Sequence, residues 1–191
     1  MNAFIEHIRQ FGEIDIRTKE KLVNHLKLEQ LKKDDYFLEA GRYCNRIGFI
    51  KKGVFRIFFL DKEGNEITRY LLSEKQFIVD LSAYNNKTLA SDNIQSLTES
   101  EIIVLERMTL ETIPTFFKEW NNILHKITEN ALLEKMHHRS NLVNQDATTK
   151  YIEFLQQQPN LANRIPLGYL ASYLGIKQQS LSRIRNKIIR S

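Results

Sequence analysis

The sequence of 191 residues contains a single cysteine, Cys44. No disulfide can close within the chain, and neither a cysteine-rich zinc site nor an iron–sulfur cluster can be assembled from it. Long apolar runs are also lacking. None approaches the ~20 residues that a bilayer demands, and the opening MNAFIEHIRQFGEID carries acids where a signal peptide would be apolar. A cytoplasmic protein with no membrane partner is therefore expected.

Histidine is missing from 36–105, since all five (His7, His25, His125, His137, His138) fall in helical patterns outside that segment. A metal site inside a barrel needs two or three histidines plus a carboxylate, so none is expected there. The neighbours His137 and His138 would point about 100° apart on a helix, which reads as a solvated pair. No glycine-rich phosphate loop and no nucleophile elbow occurs. Cys44 has no histidine in its segment to activate it, so no catalytic residue, no enzyme and no cofactor is expected. Its neighbours Arg42 and Arg46 would lower its pKa, which sets a redox-sensing thiol beside the default of a packed cysteine.

The third absence is acid at the C-terminus. Although 28 Lys and Arg against 23 Asp and Glu give a net charge of only +5, residues 164–191 hold Arg164, Lys177, Arg183, Arg185, Lys187 and Arg190 and no carboxylate. A solvated face normally mixes signs, so a block of one sign implies disorder or an anionic partner. Its apolar periodicity argues against disorder.

Along the chain, residues 1–30 show apolar spacing of two short helices, the second capped by Thr18. From Tyr36 to Leu105 the period falls to two or to short apolar blocks, YFL, IGFI, VFRIFFL, ITRYLL, IQSLT and EIIVL, separated by turn signals that include YNNKT at 84–88. Short strands at this spacing predict an antiparallel barrel or jelly roll. Helical periodicity returns over 109–145, with Trp120, Leu124, Ile127 and Ala131 at a 4-3-4 spacing. Such a helix either packs along the barrel or pairs with its copy in a second subunit, and its overhang favours the pair. ATTKYIEFLQQQP then predicts a helix capped near Asp146 or Thr148 and stopped at Pro159.

The last stretch, LGYLASYLGIKQQSLSRIRN, reads as two helices. Leu170, Leu174, Leu181 and Ile184 are the anchors, Ala171 is small where the helices cross, and Gly175 supplies the positive φ of the turn. Gln178, Gln179, Ser180, Ser182, Arg183, Arg185 and Lys187 are left on free surfaces. This is the pattern of a helix-turn-helix, although any helical hairpin shares its anchors and its glycine. The chemistry of the exposed side favours DNA. Gln, Ser and Arg can bond base edges or phosphates, and no carboxylate repels them.

At these residues the run PLGYLASYLGIKQQSLSRIRNKI resembles the C-terminal helix-turn-helix of the Crp/Fnr transcription regulators, most closely the Bacteroidetes-type members. The order of the preceding parts agrees with that family. The resemblance implies an α+β chain in three parts: an antiparallel beta-roll or jelly-roll sensor with short helices over 1–108, a long dimerisation helix over 109–145, and a helix-turn-helix over 146–191. It also implies a homodimer on double-stranded DNA, with half-sites ~34 Å apart, and RNA polymerase as a further partner. Arg183 then matches an arginine that reads guanine. Gln178 and Gln179, in place of the Arg and Glu common in the cyclic-AMP receptor branch, suit adenine. Ser180, Lys177, Arg185 and Lys187 fall nearer phosphate, and Trp120, Leu124, Ile127 and Ala131 form the dimer interface.

In the cyclic-nucleotide-binding members a Gly-Glu pair holds the ribose and an Arg-Ser or Arg-Thr pair the cyclic phosphate. Here Val79 and Asp80 stand at the first pair, and no arginine occurs between Arg69 and Arg107. A buried phosphate needs a paired cation and close donors. Lys87 is the only substitute in the segment and reads as a loop lysine, while Asp80 reads as a capping carboxylate. Cyclic AMP is not expected, and a different small-molecule effector touching Asp80 or Lys87 stays open. The alternative from another class is a small-molecule-binding barrel whose helical tail serves a protein–protein interface.

Overall fold

The computed structural model describes residues 1–142 and 145–189, and at 137–142 and 189 the backbone alone. Two helices, α1 (Asn2–Arg9) and α2 (Ile16–Asn24), lead into eight strands. These are β1 (Lys27–Leu31), β2 (Tyr36–Leu38), β3 (Arg46–Lys52), β4 (Phe55–Leu60), β5 (Glu66–Leu72), β6 (Phe77–Ile78), β7 (Asn93–Ser96) and β8 (Ser100–Glu106), with α3 (Leu81–Asn86) between β6 and β7. Helices α4 (Arg107–Thr112), α5 (Trp120–Leu142), α6 (Ala147–Gln157), α7 (Leu167–Leu174) and α8 (Gln178–Ile189) follow.

The strands form two four-stranded antiparallel sheets, β1-β8-β3-β6 and β2-β7-β4-β5, packed as a roll. The apolar run in β8 is unbroken because both faces of the strand are covered. Ile102 and Val104 point between the sheets with Phe55 and Ile78, whereas Ile103 and Leu105 point outward beneath α1, α2 and α5, where Phe4, Leu22 and Trp120 meet them. All four are at most 1% exposed. A one-residue slip against β3, which pairs Ile47 with Leu105 and Phe49 with Ile103, would exchange these two cores, so the register is firmly fixed.

Four elements differ from the sequence reading. The cap of α2 is Asp15, whose Oδ1 accepts the Thr18 N–H at 3.0 Å while Oδ2 accepts the Thr18 hydroxyl. Thr18 thus partners the cap without being it. The segment KLEQL, placed within a helical stretch, is strand β1, drawn out by full antiparallel pairing with β8. The polar YNNKT lies largely in α3, whose N-cap Asp80 and left-handed Lys87 (φ 53°) enclose a single short helix. The helix expected over 109–145 is interrupted: α4 ends at Thr112, Pro114 sits in a 3-10 turn at Ile113–Thr115, and α5 starts only at Trp120. Proline lacks the amide that a continuing helix would use.

Candidate nucleic-acid interface

The terminal pair is built as its spacing requires. Leu170, Ala171, Leu174 and Leu181 are 0–2% exposed and interlock α7 with α8. Gly175 ends α7 at φ 65°, and the Ile176 N–H reaches back to the Ala171 carbonyl at 3.0 Å, closing the helix end and redirecting the chain. The Leu181 N–H bonds to the Lys177 carbonyl, so Lys177 stands at the N-terminal boundary of α8.

Along α8, Gln179, Arg183 and Lys187 fall at i, i+4 and i+8 on one exposed stripe. Lys177 and Gln178 are exposed at its start, while Ser180 and Arg185 are half-buried on the flanks. Leu167, Lys177, Gln178, Gln179, Ser182 and Arg183 line an open concavity at the amino end of α8. Ser182, expected on a free surface but not among the DNA contacts, belongs to that concavity. Gly168 lies against Gln178, whose Oε1 would be 3.1 Å from a Cβ placed there. The structure therefore brings six of the seven expected DNA-contact residues onto or beside one surface that, among the described residues of α8, carries no acid, with Arg185 turned further back.

The pair is docked on the roll, which the sequence did not foretell. Arg56 of β4 is 1% exposed. Its Nε and Nη2 donate to Gln95 Oε1 at 2.8 and 2.6 Å, and its Nη1 lies 2.7 Å from Glu66 Oε2, off the donor axis, as an ion pair. The same guanidinium is sandwiched between the rings of Phe58 and Tyr169, the latter from α7. Nearby the Thr68 N–H donates to Ser172 Oγ at 2.9 Å, and the Ser172 hydroxyl donates to the Glu66 carbonyl. Arg164, before α7, grips Glu74 with two hydrogen bonds of 2.9 and 2.6 Å. Hydrogen bonding from Arg164, joined by the Gly53 N–H, holds the Glu74 carboxyl down at about 2.

The interior of the roll is occupied by its own side chains, among them Phe37, Phe55, Ile78 and Ile94. Both Asp80 oxygens are engaged, Oδ1 by the Ala83 N–H and Oδ2 by the Ser91 N–H, and Lys87 is exposed at the end of α3. Asp92, beside them, is pushed up by burial, with Arg69 3.5 Å away as its counter-charge. Arg107 is spent on the carbonyls of Cys44 and Tyr84 and lies on the Tyr84 ring.

Cys44 corrects the expectation of a lowered pKa. The thiol is 2% exposed and burial pushes it up, while Arg46 is drawn away to Glu29 and the Phe37 ring. Among the described residues no cluster of three His, Cys, Asp or Glu is placed to hold a metal, and the side chains of His137 and His138 lie outside the described residues. Of the expected dimer residues, Trp120 and Ile127 are 2% and 6% exposed within the protomer's own core, and Leu124 and Ala131 are half-buried. Leu132, Leu133 and Met136 on α5 are exposed instead.

A β-roll, a long helix and a terminal helical pair follow one another along the chain. Residues 28–114 match the family model of the cyclic nucleotide-binding domain. Among solved structures, the chain is similar to the c-di-GMP responsive global regulator CLP of Xanthomonas campestris, with a TM-score of 0.72, 15% identity and 92% of each chain covered. It is similar to FixK2 of Bradyrhizobium japonicum, with a TM-score of 0.74, 13% identity and 86% and 85% of the two chains covered. A Crp/Fnr family regulator of Eubacterium rectale gives 0.69 at 15% identity, covering 93% and 85%. The chain has the fold of the Crp/Fnr transcription regulators, built on a roll of the cyclic nucleotide-binding type. A comparison with curated proteins returns no match. Among the described residues no helix is long and apolar enough to cross a membrane.

Proposed function

We propose that this chain is a homodimeric, sequence-specific DNA-binding transcription regulator of the Crp/Fnr type that acts without cyclic AMP. The observation that carries the reading is the exposed, carboxylate-free stripe Gln179, Arg183 and Lys187, with Gln178 and Lys177 at its amino end. Such a helix, presented by a helix-turn-helix, fits a major groove with its first turns against base edges. Arg183, Gln178 and Gln179 read bases, and Ser180, Lys177, Arg185 and Lys187 meet phosphate. The filled roll interior, together with the absence of any arginine between Arg69 and Arg107 to pair with a cyclic phosphate, supports independence from cyclic AMP.

The dimer seam runs along α5 and keeps Leu124 and Ala131 of the residues its spacing suggests. Leu124, Thr128 and Leu132 line a small apolar groove with Val79, Leu81 and Leu110 of the protomer. A partner helix laid there would cover the groove, while Trp120 and Ile127 brace α5 from beneath.

The test is binding of the purified protein to random duplex DNA, selected for bound sequences and titrated with salt. Four to six phosphate contacts predict a log–log slope of roughly −4 to −5, and the selected sites should be palindromic. Binding that ignores salt, or adding cyclic AMP and finding that it is required, would refute the proposal.

A further inference from the structure

A cleft of about 500 Å³ opens where roll, long helix and terminal pair meet. That volume lies in the range of small-molecule sites. Its walls come from α1, the end of β5 with the turn after it, α5, the end of α6, and Tyr173 of α7. Neither α8 nor Asp80 and Lys87 contributes to it, so it is distinct from both sites considered above.

Three observations describe what would fill it. First, Lys135 is half-buried, burial lowers its pKa, and among the described residues it pairs with no carboxylate. Its ammonium faces the Tyr70 ring at 4.8 Å from the centroid. A buried charge without a counter-ion is costly, and an incoming anion would relieve that cost. Second, Gln158 Oε1 is buried without a hydrogen-bond partner among the described residues and awaits a donor. Third, Tyr70 and Tyr173 give the cleft two aromatic walls from opposite sides of the domain junction. The acids present do not cancel this character. Glu74 is held by Arg164, and Glu134 is exposed and takes the Asn130 amide.

We propose that this cleft is an effector site for a small planar organic anion. Its carboxylate or phosphate ester pairs with Lys135, its ring lies along Tyr70 and Tyr173, and a hydroxyl or amino hydrogen reaches Gln158. Because the ligand touches roll, α5 and α7 together, it binds best in one arrangement of those parts and shifts the population toward it. This regulatory half rests on the DNA-binding reading above, whereas the binding half does not.

The experiment uses the full chain and fluorescence anisotropy with two probes, 6-hydroxy-2-naphthoate and 2-naphthyl phosphate, and 2-naphthol as the uncharged control. Saturable binding of at least one anion is expected, with 2-naphthol at least tenfold weaker; the tighter anion identifies the head group. Lys135→Met should weaken anion binding tenfold or more and leave the naphthol unchanged, with Lys135→Gln used instead if circular dichroism shows the first variant unfolded. Gln158→Leu should weaken the hydroxynaphthoate severalfold and spare the naphthyl phosphate, which lacks the donor. Absence of saturable anion binding, or full retention of it in the Lys135 variant, overturns the site. A bound probe should change affinity for the selected DNA at least threefold. Anion binding without that change overturns the regulatory half alone, whereas anion binding by a protein that binds no DNA overturns the functional reading and leaves the site standing.

Discussion

The Arg56 guanidinium carbon lies 3.6 Å from the centroid of the Tyr169 ring, joining the roll to the first helix of the terminal pair. Burying an arginine requires hydrogen bonds and a counter-charge. Gln95 and Glu66 supply these from the roll, and Tyr169 closes the remaining face. The position of the terminal helices and the burial of Arg56 are therefore one event.

Arg56→Met should cost about 2 to 3 kcal/mol, because Gln95 Oε1 loses both donors in a buried place. Tyr169→Leu should cost about 1 to 2 kcal/mol from the lost cation–π contact. The double variant should fall short of the sum, since both changes remove the same junction. Urea midpoints of the four proteins measure this, and strict additivity would contradict it.

Glu74 gives the junction an acid limit. Its folded pKa of about 2 lies below the ordinary glutamate value of 4.5, so its contribution is complete above about pH 5 and fades as pH falls toward 2. With both side chains about one-third exposed, solvent screening leaves on the order of 1 to 2 kcal/mol. Wild type should lose that much more stability than Glu74→Gln between pH 5 and pH 2, with identical slopes above pH 6.

Arg183→Ala and Lys177→Ala should part company on DNA. The first should cost ~1 to 3 kcal/mol and relax one base position, while the second weakens all sequences alike and lowers the salt slope by about 1. Selection and salt titration on each variant separate the two patterns.

Cys44 should resist thiol reagents. At 2% exposure and with its pKa raised, the native protein at pH 8 should react with an aromatic disulfide at least a hundredfold more slowly than the same chain in urea. Reaction at the rate of a free thiol would show that the wall of the roll opens.

Strands, the terminal pair and the amino end of α6 were legible because each rests on local rules: period, a turn glycine at 175, a capping Asp146. What escaped depended on distant partners. β1 is a strand only because β8 lies beside it. Arg56 reads in sequence as one more strand cation, and nothing nearby announces Gln95, 39 residues on, or Tyr169. Among the site residues, the exposed set on α8 followed from helical phase. Periodicity could not say which face of α5 the protomer would use for itself.

Val54, Leu71 and Leu97 of the roll share one apolar cluster with Phe154, Leu170 and Leu181. The C-terminal segment is thus no detachable cassette. Cut at 146, the roll would show water a greasy scar, and the released fragment would carry the matching half. Grafting the terminal helices onto a foreign roll would succeed only if that roll brought its own counterparts to Val54, Leu71 and Leu97.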